Sequence, residues 1–87
     1  MASTISDVKS QLDEAFLRTE DVNGRLAGAL VTIEEAQAIV MAATDGSSHS
    51  SVEQLTSALG HTRERIEEAI SALNSAVEEV RGYSAGL

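Results

Sequence analysis

Apolar residues recur every three or four positions along almost the whole chain, and this spacing limits what it can fold into. Because an α-helix has about 3.6 residues per turn, such spacing places the apolar side chains on one stripe of a helix. With Ile5 and Val52 taken as heptad position a, the a and d positions hold Ile5, Val8, Leu12, Ala15, Thr19, Val22, Leu26, Ala29, Ile33, Ala36, Val40 and Ala43, then Val52, Leu55, Leu59, Thr62, Ile66, Ala69, Leu73, Ala76, Val80, Tyr83 and Leu87. A register kept over this length predicts two long helices that pack along a seam.

A cluster of turn-forming residues separates the two patterns. Residues 44–51 read Thr-Asp-Gly-Ser-Ser-His-Ser-Ser, and Gly46 can adopt the left-handed conformation that ends a helix. Ser50 followed by Glu53 forms a capping-box pattern, in which each side chain bonds a free backbone N–H group of the helix start. The sequence therefore predicts a loop over residues 45–50.

The ends of the two helices follow from these signals. Thr4 and Asp7 resemble a weaker cap at the first helix. We expect a single domain over residues 1–87, with helices over about 4–44 and 51–82.

A turn dipeptide interrupts the first helical pattern. Asn23-Gly24 is typical of a turn, and Gly28 follows four residues later. The heptad nevertheless continues through this stretch without a slip, which favours one continuous helix weakened by about 1 kcal/mol per glycine. The alternative is a kink at this point, which would divide the chain into three helices.

A short loop between two long helices predicts an antiparallel hairpin. Residues at one level of such a hairpin have numbers that add to a constant, and a sum of 95 places seam residues opposite seam residues throughout. Several levels then match an alanine with a large side chain, as in Ala36 with Leu59. This complementarity of volume supports the hairpin because it fills each layer. We also expect Arg18 to lie across the groove from Glu79.

A second apolar strip runs beside the seam. A two-helix hairpin covers one seam only, so this strip would stay exposed and mark an interface. The strip occupies e and f positions and consists of Phe16, Leu17, Leu30, Val31, Ile70 and Val77. It predicts that two hairpins assemble into a four-helix bundle, most simply as a homo-oligomer. The alternative is that these residues only broaden the seam of a single hairpin.

The charge of the chain argues against nucleic-acid binding. Six basic and fourteen acidic residues give a net charge of −8, whereas binding to a phosphate backbone needs clustered Lys and Arg. Glu14 precedes Arg18 and Asp21 precedes Arg25 by four residues, which predicts ion pairs on the solvent side of the first helix.

The sequence also argues against a membrane protein. No uninterrupted apolar run approaches the roughly 18 residues of a membrane span. Residues 1–7 lack the basic and apolar regions of a signal peptide. We therefore expect a cytoplasmic protein, or one that is exported without a cleavable signal peptide.

Residues for catalysis or metal binding are sparse. The chain has no cysteine, which excludes thiolate metal sites and cysteine nucleophiles. His49 and His61 have no carboxylates at ligand spacing around both of them. Acidic residues occur in adjacent pairs such as Glu67-Glu68, and adjacent side chains diverge by about 100° on a helix. We expect no enzymatic activity, no cofactor, no metal and no small-molecule substrate.

In outline the chain resembles the W-x-G helical-hairpin family of type VII secretion substrates, or small actinobacterial helical proteins. The features that carry the resemblance are two helices of about forty residues, a short polar turn with Gly46, and acidic character. The family's Trp-x-Gly turn is absent, since Asp45-Gly46 stands there and the chain has no Trp. The family's C-terminal signal places an acid four residues after a tyrosine, whereas Leu87 follows Tyr83 at that spacing.

Two functions remain after these exclusions. The first is a protein–protein interaction or structural module that pairs with itself or with a related helical hairpin. The second is an acidic inhibitor, or nucleic-acid mimic, that occupies a basic site on a partner protein, and the net charge of −8 supports it.

Overall fold

The computed structural model describes residues 4–44 and 49–87, and within them the chain forms two long helices. Helix α1 covers Ile5–Ala43 and helix α2 covers Ser50–Ala85. The helices pack antiparallel along their length, which confirms the predicted all-α hairpin. The protein measures 64 × 21 × 15 Å and is therefore a rod one helix layer thick.

The first helix begins as predicted, and the second begins one residue earlier than predicted. The Thr4 hydroxyl accepts a hydrogen bond from the Asp7 N–H at 3.1 Å. At α2 the cap is His49, whose ring Nδ1 accepts from the Ser51 N–H at 3.2 Å, while Ser50 is already helical. The prediction of Ser50 as the cap was therefore wrong. The predicted helix stop at Gly46 lies outside the described residues.

Glycines do not interrupt either helix. Helix α1 runs through Asn23-Gly24 without a break, so the kinked alternative is wrong. Helix α2 continues past the predicted end near residue 82 and reaches Ala85, with Gly82 inside it. A Cβ atom added at Gly24, Gly28 or Gly82 would meet nothing within 4 Å, so these glycines lie on open surface.

The helices contact each other through heptad positions a and e, with smaller contributions from d. No described residue is fully buried, and the half-buried ones show which side of each helix faces the other. On α1 they are Val8, Leu12, Phe16, Thr19, Asn23, Leu26, Ala29, Leu30, Ile33, Ala36, Gln37, Val40 and Thr44; on α2 they are Val52, Leu59, Gly60, Ile66, Ala69, Ile70, Leu73, Val77 and Ser84.

On α1, side-chain size accounts for the rotation away from the predicted a/d seam. On α1 the d positions are alanine except for Val8 and Val22, whereas the e positions include Phe16 and Leu30. Turning α1 so that Phe16 and Leu30 face the other helix removes more apolar area from water than burying an alanine at d does. The exposed d residue Val22 and the half-buried Phe16 show the result.

The level at which the helices meet is also shifted slightly. Asn23 pairs with Asn74, Glu34 with Arg63, and the Phe16 ring with Arg81; in each pair the residue numbers add to 97. The predicted sum was 95. The difference is about one residue on each helix and follows from the use of e and b positions in place of d.

Candidate interaction surfaces

One broad face of the hairpin is closed by polar contacts between the helices. This b face is centred on the b positions of both helices. Arg81 reaches Glu20 at 3.6 Å, and its guanidinium lies 5.2 Å from the centre of the Phe16 ring. Nearer the loop, Arg63 bridges Glu34 at 3.6 Å and Glu67 at 3.1 Å. Exposed ion pairs of this kind contribute little to stability, about 0–1 kcal/mol each, but they align the two helices.

An amide pair lies between these two ion-pair groups. Asn23 donates from Nδ2 to the Asn74 Oδ1 at 2.9 Å. The Asn23 Oδ1 atom is buried and accepts no hydrogen bond. Leaving a buried polar atom unpaired costs about 1–3 kcal/mol, whereas a polar residue inside a helix seam fixes the alignment of the helices. Asn23 therefore favours one register over neighbouring ones at a cost in stability.

The opposite face is apolar and open. This d face consists of the d positions Ala15, Val22, Ala29, Ala36 and Ala43 of α1 and Leu55, Thr62, Ala69, Ala76 and Tyr83 of α2. Val22 is 44% exposed, Leu55 47% and Tyr83 64%.

A groove of about 260 Å³ lies between the helices near their open end. Its walls hold only one polar side chain, that of Thr19. The lining residues are Leu12, Ala15, Phe16, Thr19, Leu73, Ala76, Val77 and Val80. The small residues Ala15 and Ala76 leave room on the d side, so the groove can receive side chains of a partner.

The six residues of the predicted interface divide into two groups. Phe16, Leu30, Ile70 and Val77 are half-buried on the sides by which the helices face each other. This is the placement that the broader-seam alternative predicts. Leu17 and Val31, at f positions, remain 66% and 54% exposed. The structure therefore does not bring the six together into one exposed strip.

Charges are distributed unevenly between the faces. Three of the six basic residues, Arg18, Arg25 and Arg65, occupy g positions along the edges of the d face, together with one acid, Glu79. Within residues 4–44 and 49–87 the other twelve acidic residues and three basic residues lie elsewhere, so the rest of the described surface carries nearly all of the negative charge.

The predicted ion pairs within α1 are confirmed, because Arg18 bonds Glu14 and Arg25 bonds Asp21, both at 3.0 Å. The contact that we expected between Arg18 and Glu79 within one hairpin is not formed. Rotation of the helices toward position e moves both g positions away from the helix contact.

The part of α1 near the loop is the most apolar segment of the chain. One 18-residue window of α1 has a mean hydropathy of 1.5, and only residues 26–43 hold as few as two charged residues over that length. Helix α1 thus meets the length and composition criteria for a membrane span, which the search for uninterrupted runs missed. Glu34 and Glu35 interrupt the window. Since the core helix of a soluble protein passes the same test, this is weak evidence for a membrane.

Histidines and carboxylates do not gather into a metal site within residues 4–44 and 49–87. His49 caps α2 through its Nδ1 atom, and His61 is exposed.

The three comparisons with known proteins give no match: no family model, no curated protein and no solved structure is similar to this chain.

Sequence reasoning missed the d face because an a/d template was applied to both helices alike. Part of the signal was present in side-chain size, because Phe16 and Leu30 at e positions of α1 are larger than the alanines at its d positions. On α2 the d positions hold Leu55 and Tyr83, so apolar area alone does not turn that helix toward e.

Proposed function

We propose that this chain is a non-enzymatic protein–protein interaction module that self-associates, with two hairpins forming a four-helix bundle. One observation carries the proposal: the described chain holds no buried residue, although 43% of its residues are hydrophobic. A folded domain normally buries one face of its elements against a second layer. The hairpin supplies only one layer, so a partner supplies the other.

The exposed area supports the same conclusion. The chain exposes 6474 Å². A compact monomer of 9.1 kDa would expose about 4,900 Å². The excess of about 1,600 Å² is twice the roughly 800 Å² that each partner buries in a standard interface. Covering the d face would remove much of that excess.

The surface for association is the d face in this proposal, because four of the six e and f residues already lose area within the hairpin. The d face is exposed at seven of its ten residues and is less acidic than the remaining surface. An acidic protein repels its own copies through most of its surface. It does so least through the face that holds Arg18, Arg25 and Arg65.

Sedimentation equilibrium with circular dichroism tests this function. We expect a mass of twice 9.1 kDa or more at micromolar concentration, with helix content matching Ile5–Ala43 and Ser50–Ala85. The midpoint of thermal unfolding should rise with protein concentration, because association stabilises the folded chain. A fully helical monomer whose melting is independent of concentration contradicts self-association. That result would favour a basic partner protein, as the alternative of an acidic inhibitor predicts.

The cellular location of the protein and its resemblance to the W-x-G helical-hairpin family remain predictions. They rest on the helix lengths, the polar turn and the N-terminal composition.

A further inference from the structure

We infer that the d face binds a second copy of this chain in one defined arrangement, in which α1 of each copy packs antiparallel on α2 of the other. The inference rests on the proposed self-association and adds the geometry of the pair. In this arrangement the two-fold axis runs parallel to the long axis of the rod. The alternative is a two-fold axis perpendicular to the rod, which would pack α1 on α1 and α2 on α2.

The register of this pair follows from the hairpin itself. A two-fold rotation about the long axis leaves the height of every residue unchanged. Residues at one level within a hairpin have numbers that add to 97. The same sum therefore relates α1 of one copy to α2 of the other, and no sliding parameter remains to be chosen.

Side-chain volumes match in this register. At sums within one of 97, Ala15 faces Tyr83 of the second copy, Val22 faces Ala76, and Ala43 faces Leu55. Each of these three larger d residues thus meets an alanine, and each such pair occurs twice by symmetry. Tyr83 and Val22, which are 64% and 44% exposed, reach the level of the open groove beside Ala15 and Ala76. Packing α1 on α1 would instead set alanine mostly against alanine and leave voids.

Charges at the rim match as well. At the sum of 97, Arg18 meets Glu79 of the second copy, and Ile39 meets Ala58. Arg18 already bonds Glu14, but a guanidinium has five N–H donors and can hold two carboxylates. Packing α1 antiparallel on α1 near its middle brings Arg25 close to Arg25 or Arg18 of the other copy. Like charges at that position oppose the alternative arrangement.

Engineered disulfides distinguish the arrangements, since the native chain has no cysteine. Ile39→Cys and Ala58→Cys are made in separate chains, mixed, unfolded, refolded together and oxidised. We expect the mixed disulfide to form in large excess over either homodimer, because a disulfide needs Cα atoms about 4.4–6.8 Å apart. The matched control mixes Ala38→Cys with Ser57→Cys, each one residue away at an exposed f position. The control pair should not cross-link.

Two results would overturn the arrangement. One is a disulfide homodimer of Arg25→Cys alone, which indicates α1 packed on α1. The other is efficient cross-linking of the control pair, which places the contact on the side of Leu17 and Val31. If the wild-type chain is dimeric by sedimentation and either result appears, only the arrangement fails. If the wild-type chain sediments as a monomer, self-association fails with it.

Charge reversal provides a second test that needs no cross-link. Arg18→Glu should raise the dissociation constant about tenfold, because symmetry counts the contact twice and attraction becomes repulsion. Adding Glu79→Arg to that variant should restore most of the affinity. Glu79→Arg alone should weaken association like Arg18→Glu. An effect of Arg18→Glu that Glu79→Arg does not rescue contradicts the pairing.

Discussion

The two broad faces of the hairpin are formed by the same helices but differ in the side-chain contacts between them. On the b face, Glu20, Asn23, Glu34, Arg63 and Arg81 reach across and meet partners on the other helix. On the d face the side chains are mostly short or apolar, and Val22, Leu55 and Tyr83 remain exposed. The difference supports the proposal that the b face is complete in the single chain, whereas a partner covers the d face.

The largest loss of stability should come from a charge placed in the contact between α1 and α2, which lies between the b face and the d face. Leu26→Asp puts an unpaired carboxylate at a half-buried a position, and we expect a loss of about 3 kcal/mol or more. Circular dichroism should show an unfolded chain at room temperature. Glu35→Lys, at an exposed position, is the control and should melt like wild type. Glu34 is unsuitable as a control because it pairs with Arg63.

The next effect tests whether the e positions belong to the hairpin and not to a separate interface. Phe16→Ser with Val77→Ser removes two half-buried apolar side chains from the helix contact. We expect a loss of stability of about 2–3 kcal/mol, with helicity and association lost together in urea titration. A double variant that keeps full helicity but no longer associates would restore these residues to the interface first predicted from the sequence.

On the d face, the same type of substitution should weaken association without unfolding the hairpin. Val22→Ser with Tyr83→Ser should cost about 2 kcal/mol of association, roughly a 30-fold rise in dissociation constant, with helicity retained at high protein concentration. Sedimentation measures the change. Leu17→Ser with Val31→Ser, on the outer f positions, is the matched control and should associate like wild type. If both double variants weakened association equally, the d face would not be distinguished from the outer f positions as the contact surface.

The b face has its own test in the amide pair. Asn74→Leu leaves Asn23 without its acceptor and should lower the free energy of unfolding by about 1 kcal/mol. Replacing both asparagines by leucine removes the unpaired Asn23 Oδ1 and should raise stability by about 1 kcal/mol above wild type. Urea unfolding at fixed protein concentration measures both. Additive losses in the double variant would show that the amide pair stabilises the fold.

The smallest effect concerns the outer surface, away from both faces. Gly24→Ala and Gly28→Ala should each stabilise α1 by about 0.5–1 kcal/mol, because the added Cβ meets no atom within 4 Å and helix propensity improves. Thermal melting gives the result. If either substitution weakens association, a partner approaches closely at these glycines, and the outer side of α1 is an interface as well.

Apolar spacing and capping chemistry were sufficient to predict most of the fold. The two helices follow from the long heptad register, their antiparallel packing from the short loop between them, and the Thr4 cap from residues at the helix start. The cap at α2 was not predicted, because His49 and Ser50 can both cap the helix. A histidine ring nitrogen can accept a hydrogen bond from a backbone N–H group, just as a serine hydroxyl can.

The candidate surface was predicted less well, because it depends on how far each helix rotates about its axis. A rotation of about 40° separates position a from position e, and it moved Phe16 inward and Val22 outward. Such a rotation depends on how both helices pack together and has no local signal. The spacing of apolar residues is the same before and after it.

Antiparallel packing brings Thr4 and Ala85, the two ends of the described helices, to one pole of a rod 64 Å long. Pairing about the long axis would keep this polarity, so Thr4 and Ala85 of both copies would lie together at one pole. Anything tethered to either end of the chain would then be displayed as a tight cluster, with spacing set by the width of the bundle. A two-fold axis perpendicular to the rod would place the tethered groups of the two copies at opposite poles. Fluorescence energy transfer between labelled chains measures this distance directly.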